Sequence, residues 1–129
     1  MKDVSTVIEN EKGERTITTQ IRQQNGIAIL EPTGKIVGPS VSELREAIAP
    51  QIEASDTPRI LINFEHVNKI DSSGLVALME ARAAAERKQG RIGVIHVGKH
   101  IKDLVALSRI VSLFEHFDSE DDAVSALAA

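Results

Sequence analysis

The sequence has no cysteine, no tryptophan and no tyrosine, and three phenylalanines bring its aromatic fraction to only 2%. Without cysteine there is no disulfide, no CxxC redox pair and no thiolate metal site. Without aromatic faces, base-stacking platforms and quaternary-ammonium cages have nothing to be built from. Basic runs are also missing. The 15 Lys+Arg are outnumbered by 19 Asp+Glu, for a net charge of -4, which argues against direct binding of nucleic acid by phosphate neutralisation. No apolar stretch approaches the ~18–20 residues needed to cross a bilayer, so no membrane insertion is expected. The opening MKDVSTVIENEKGERT has no apolar signal core, which makes the cytoplasm the expected compartment.

What is present is a globular composition: 129 residues, 42% hydrophobic and 26% charged, the size of one domain. Residues 1–15 are polar and aperiodic and are read as a flexible tail with at most one short edge strand; residues 16–129 are read as the domain. Thr16 to Gln24 is Thr- and Ile-rich and reads as a strand, Asn25-Gly26 as a two-residue hairpin turn, and Ile27 to Gly34 as the returning strand. Val41, Leu44, Ile48 and Ile52 recur at helical spacing, predicting a helix over about 40–54, capped by Ser40 or Ser42 and kinked or shortened by Pro50. RILINF (59–64) and RIGVIHV (91–97) read as buried strands. Between them EHVNKIDSSG reads as a turn, leading into a helix over about 72–89 with Gly90 as its C′ residue. Ile101, Leu104, Val105 and Ser108 outline a short helix, SLFEHF a last strand, and 119–129 a terminal helix with an acidic first turn. The order implies an α/β fold: a four- to five-stranded mixed sheet with about four helices, packed mainly on one face.

The segment richest in chemistry is Ile70-Asp71-Ser72-Ser73-Gly74-Leu75, where a loop meets a helix start. Asp and Ser are good N-caps, because their oxygens accept from the free N–H groups of the first turn, so a cap alone accounts for these residues. A second reading makes one serine a modification site, since a phosphate there would meet unpaired N–H groups and the positive end of the helix dipole. At 100° per residue, Leu78, Ala81 and Ala85 share a face suited to the sheet, while Ser72, Val76, Met79 and Ala83 lie on another. That second face is either ordinary exposed surface or a docking stripe, with Met79 as an adaptable contact.

Other signals are weak. His96 and His100 are four apart but separated by Gly98, and with only His66 and His116 left no metal site is expected. Thr33-Gly34-Lys35 lacks the first glycine and the Ser/Thr of a P-loop, and Ile70 stands where a nucleophile elbow needs glycine. No catalytic residue and no cofactor is assigned.

The stretch LINFEHVNKIDSSGLVALMEARAAAERKQGRIGVIHV resembles the signature region of the STAS domain, and within it the bacterial anti-anti-sigma factors (anti-sigma factor antagonists). The resemblance spans roughly residues 17–129 and includes the LxNFxxVxxIDSSGL core, the Gly90 turn, SRIVSLF and the terminal acidic helix. It implies a STAS-type fold and a protein that binds an anti-sigma factor which is also a serine kinase, and so frees a sigma factor. Phosphorylation of the first serine after the aspartate, which is Ser72, would break that complex, and a phosphatase would restore it. The partner surface implied is Asp71, Ser73 and Gly74 with Val76, Met79 and Ala83. The chain departs from the pattern at Gly34-Lys35-Ile36-Val37, where Val37 occupies a position that antagonists usually fill with an acid. That departure leaves a second reading open: a scaffold or adaptor STAS domain in a signalling or transport complex that never switches by phosphate.

Overall fold

Asn25 and Gly26 both adopt positive φ (53° and 79°), the backbone that a two-residue hairpin turn requires. Around them the computed structural model of the chain, which describes residues 3–8, 17–98, 101 and 103–128, pairs β2 (Ile17–Gln24) antiparallel with β3 (Ile27–Ile36). On the outer side of β2 lies β1 (Asp3–Ile8), antiparallel over six residue pairs. The segment read as a tail thus contributes an edge strand.

Helix α1 (Ser40–Glu53) follows β3. Its N-cap position is Pro39, and neither serine caps it. The Ser40 hydroxyl turns back into the loop, donating to the Lys35 carbonyl (2.6 Å) and accepting from the Val37 N–H (2.8 Å), while Ser42 donates to the Pro39 carbonyl (3.0 Å). Pro50 does not shorten the helix, which runs on to Glu53; Pro50 lies in the last turn, and its carbonyl accepts from Ala54 (3.0 Å).

Next come β4 (Arg59–Asn63), β5 (Val67–Ile70), α2 (Ser72–Arg87), β6 (Arg91–Ile95), α3 (Leu104–Leu113), β7 (Glu115–Phe117) and α4 (Glu120–Ala128). Among the described residues, seven strands form one mixed sheet in the order β1-β2-β3-β4-β6-β7, with β5 branching from β3. That is more strands than the sequence pattern implied. Part of the difference is β5, which was read as turn. It exists because β3 is long: Ala28–Leu30 pair in parallel with β4, and beyond a register shift at Gly34/Lys35 its far end pairs with β5. β6 and β7 complete the parallel part.

Alternation along the central strands divides the core. Ala28, Leu30, Ile60, Ile62, Ile92 and Val94 face the cluster shared with α1, α2 and α3. Ile27, Ile29, Leu61 and Ile95 face the other way, onto Ala123, Val124 and Leu127 of α4. Of the four helices among the described residues, three lie on one face and one covers the other. The parallel strands are therefore apolar on both faces, as strands sandwiched between helices should be.

Two further boundaries differ from the sequence reading. The left-handed residue ending α2 is Gln89 (φ 59°), so Gly90 is the next residue along, C″ rather than C′. Its N–H reaches back to the Ala85 carbonyl (2.8 Å) and that of Gln89 to Glu86 (2.9 Å), the two bonds of a Schellman motif. Gly90 is needed for another reason: a Cβ there would fall on the Pro58 carbonyl oxygen. The helix before β7 begins at Leu104, capped by Asp103, and continues through Leu113, which leaves only Glu115–Phe117 of SLFEHF as strand.

Candidate functional site

β5 ends at Ile70, and Asp71 turns the chain into α2 with extended backbone (φ -100°, ψ -177°). Its carboxylate is the N-cap. One oxygen accepts from the Gly74 N–H (3.0 Å) and from the Ser73 hydroxyl (2.7 Å). The other accepts from the N–H of Gly38 (3.1 Å), in the loop between β3 and α1. The Asp71 N–H donates to the Ile36 carbonyl (3.2 Å), tying the same two segments again. These bonds hold the carboxyl below its ordinary value: the Ser73 hydroxyl acts most strongly, partial burial opposes it, and the N–H groups of Gly74, Gly38 and Ser73 add to the lowering.

Gly74 is buried because α2 starts almost on top of the sheet. A Cβ at this position would come within 2.7 Å of Ile70 Cγ1 and 2.8 Å of the Ile36 carbonyl oxygen. Glycine therefore sets how deep the first turn sits, and with it where the two serines stand. Both are exposed, but not equivalently. The Ser73 hydroxyl is committed to Asp71, whereas the Ser72 hydroxyl has no hydrogen bond among the described residues. Ser72 is thus the exposed hydroxyl left without a partner at the positive end of α2.

From this point α2 shows two faces. Ala77, Leu78 and Ala85 are buried against the core, and Ala81 is half-buried. Val76 (49% exposed), Met79 (42%) and Ala83 are open to solvent. On α3, which packs beside α2, Leu104 (78%) and Val105 (68%) are more exposed still. Sequence periodicity identified these two only as part of a helix; what would have flagged them is that Ala106 and Ile110, four apart, suffice as that helix's buried stripe.

Among the described residues no three His, Asp or Glu side chains come together as a metal site. His96 ends β6 in a left-handed conformation (φ 57°), and its sequence partner His100 lies outside the described residues. No described helix is long and apolar enough to cross a membrane.

A mixed sheet with one branched strand, and a DSSG loop opening the helix after the branch, is a specific arrangement. A family model described as the STAS domain matches residues 18–123. The chain belongs to the STAS domain family. This STAS domain is similar to the crystal structure of an anti-sigma factor antagonist from Mycobacterium paratuberculosis, with a TM-score of 0.73 at 22% identity, over 95% of this chain and 100% of that one. It is similar to the anti-sigma factor antagonist SpoIIAA in its unphosphorylated form (TM-score 0.66, 18% identity, 84% and 96% of the two chains). The Bacillus cell fate determinant SpoIIAA in its phosphorylated form gives 0.61 at 18% identity, over 84% and 97%. At these identities the likeness is one of fold.

Proposed function

We propose that this STAS domain is a binding module, not an enzyme, and acts in the cytoplasm as an anti-sigma factor antagonist. Unphosphorylated, it binds an anti-sigma factor that is also a serine kinase, and thereby releases a sigma factor to transcription. The kinase transfers the γ-phosphoryl group of ATP to Ser72 Oγ: the P–O bond to ADP breaks, the Oγ–P bond forms, and the hydroxyl proton leaves with the kinase's base. The complex then separates until a phosphatase restores the serine. The observation that carries this reading is the free, exposed Ser72 hydroxyl beside the apolar surface of Val76 and Met79.

The physics supports a switch without unfolding. A phosphate at the start of α2 adds about -1.5 to -2 charges where the helix dipole tolerates them, so the domain keeps its shape. The same charge sits at the edge of the docking face, where a desolvated partner surface rejects it. The similar fold of SpoIIAA, solved in both phosphorylated and unphosphorylated forms, fits this reading. Val37, in the place of an acid, bears on how a kinase would recognise the chain and leaves the free hydroxyl as it is.

The test is a binding titration of phosphorylated and unphosphorylated protein against the anti-sigma factor, with the modified residue mapped by mass spectrometry. Ser72→Ala should bind constitutively and, because Asp71 caps α2 and the exposed Ser72 hydroxyl makes no hydrogen bond among the described residues, should change stability by no more than about 0.5 kcal/mol. Ser72→Asp should fold and bind weakly, though one carboxylate imitates a phosphate only in part. Equal affinities for the two forms would overturn the switch and leave the scaffold reading. Phosphate found only on Ser73 would overturn the assignment of the residue.

A further inference from the structure

On the outer face of the helical layer, α1 and α2 leave a trough of about 340 Å³ between them. Its floor is Ile48 and Ile52 from α1 and Ala77, Ala81 and Ala84 from α2; the alanines make the space, because longer side chains at those positions would close it. Both ends are bounded. At one, Arg45 donates to Glu80 (2.8 Å), bridging the helices; at the other, the Lys88 ammonium donates to the Ile52 carbonyl (2.9 Å). Its charged lining is Arg45, Arg87 and Glu80; Glu80 pairs with Arg45, which leaves Arg87 as the surplus cation. Arg87 is exposed and has no ion pair among the described residues.

We infer that this trough binds a short anionic amphiphile, an aliphatic carboxylate whose chain lies on the alanine floor and whose head pairs with Arg87. The size falls within the roughly 300–1,000 Å³ of small-molecule sites. The length selects against a docking helix. Arg45 to Ile52 is about 10 Å at ~1.5 Å per residue, two helical turns, and a longer helix would have to break the Arg45–Glu80 bridge. The planar guanidinium fork of Arg87, which offers parallel donors, suits a carboxylate head. The site is separate from the Ser72 loop and does not depend on the proposed function.

The experiment titrates the full chain with octanoate, octanol and acetate while following backbone amide shifts. Octanoate should bind saturably, with shifts concentrated at Ile52, Ala81, Ala84 and Arg87; octanol, with the chain but no charge, should bind about tenfold more weakly, and acetate should not saturate. Arg87→Gln, at an exposed position, should weaken octanoate about tenfold, within what one charge-assisted hydrogen bond contributes, and leave octanol unchanged. Ala81→Leu should occlude the floor and weaken both, with a thermal melt confirming that each variant is folded. Octanoate binding no better than octanol, an unaltered affinity in Arg87→Gln, or shifts scattered over the surface would each overturn the site.

Discussion

The Asp71 carboxylate accepts from the Ser73 hydroxyl and from the N–H groups of Gly74 and Gly38, so one side chain both caps α2 and ties it to the loop before α1. All of these donors favour the ionised form, and the carboxyl is held below its ordinary value on folding. A group of this kind stabilises the native state fully where it is ionised in both states. It gives that contribution up as pH falls below about 3.9, its usual value, and through the lower folded-state value. Asp71→Asn keeps a capping oxygen for Gly74 but loses an acceptor for Gly38. We expect it to cost about 1 kcal/mol at pH 7 in urea unfolding, with the gap to wild type narrowing below about pH 4. A gap that does not change with pH would show that the ionised carboxylate is not what matters. At this scale the sequence was informative: Asp followed by two serines and a glycine announces a helix start. What it did not announce is that Gly38, thirty-three residues earlier in the chain, supplies one of the donors. A contact across two loops leaves no local pattern.

Helix α2 serves the core with one side and solvent with the other, and its two ends illustrate different kinds of legibility. Its start follows from N-cap chemistry and its facing from a period of 3.6 residues, both local rules. Val76→Glu should therefore alter stability by no more than about 0.5 kcal/mol, as exposed substitutions do, while abolishing capture of the anti-sigma factor. A melt shifted well beyond that would place Val76 in the core. The far end misleads, because Gly90 attracts the left-handed role that Gln89 holds. A side chain in that conformation costs roughly 1–2 kcal/mol, which glycine avoids. Gln89→Gly should accordingly stabilise the protein by up to about 1 kcal/mol in denaturant unfolding; no gain would mean that the Gln89 side chain compensates for its backbone. β5 was missed for a related reason. VNKI shows exposed, polar residues at its centre and only two buried ones at its ends, so neither composition nor alternation marks a strand. Its existence depends on β3 extending far enough to pair with it.

In the molecule as a whole, β1 joins the sheet through β2 alone. We propose that the domain folds without its first segment: deleting residues 1–14 should preserve a single cooperative thermal transition, lowered by no more than the loss of an edge strand. Loss of cooperativity would make β1 integral to the fold. The α/β class, four helices and a mixed sheet were readable from the order of apolar runs; the branch at β3 was not, since pairing partners separated by thirty or more residues are chosen by the packed molecule. The covering of the sheet's second face has a further consequence. Ile27, Ile29, Leu61 and Ile95 lie under Ala123, Val124 and Leu127, and the ion pair of Arg22 with Glu120 fastens that helix down. During folding, the sheet's second face has no cover until α4 docks on it. Until then the chain presents a hydrophobic face to its neighbours. An intermediate in which α4 is undocked is thus the species most exposed to aggregation.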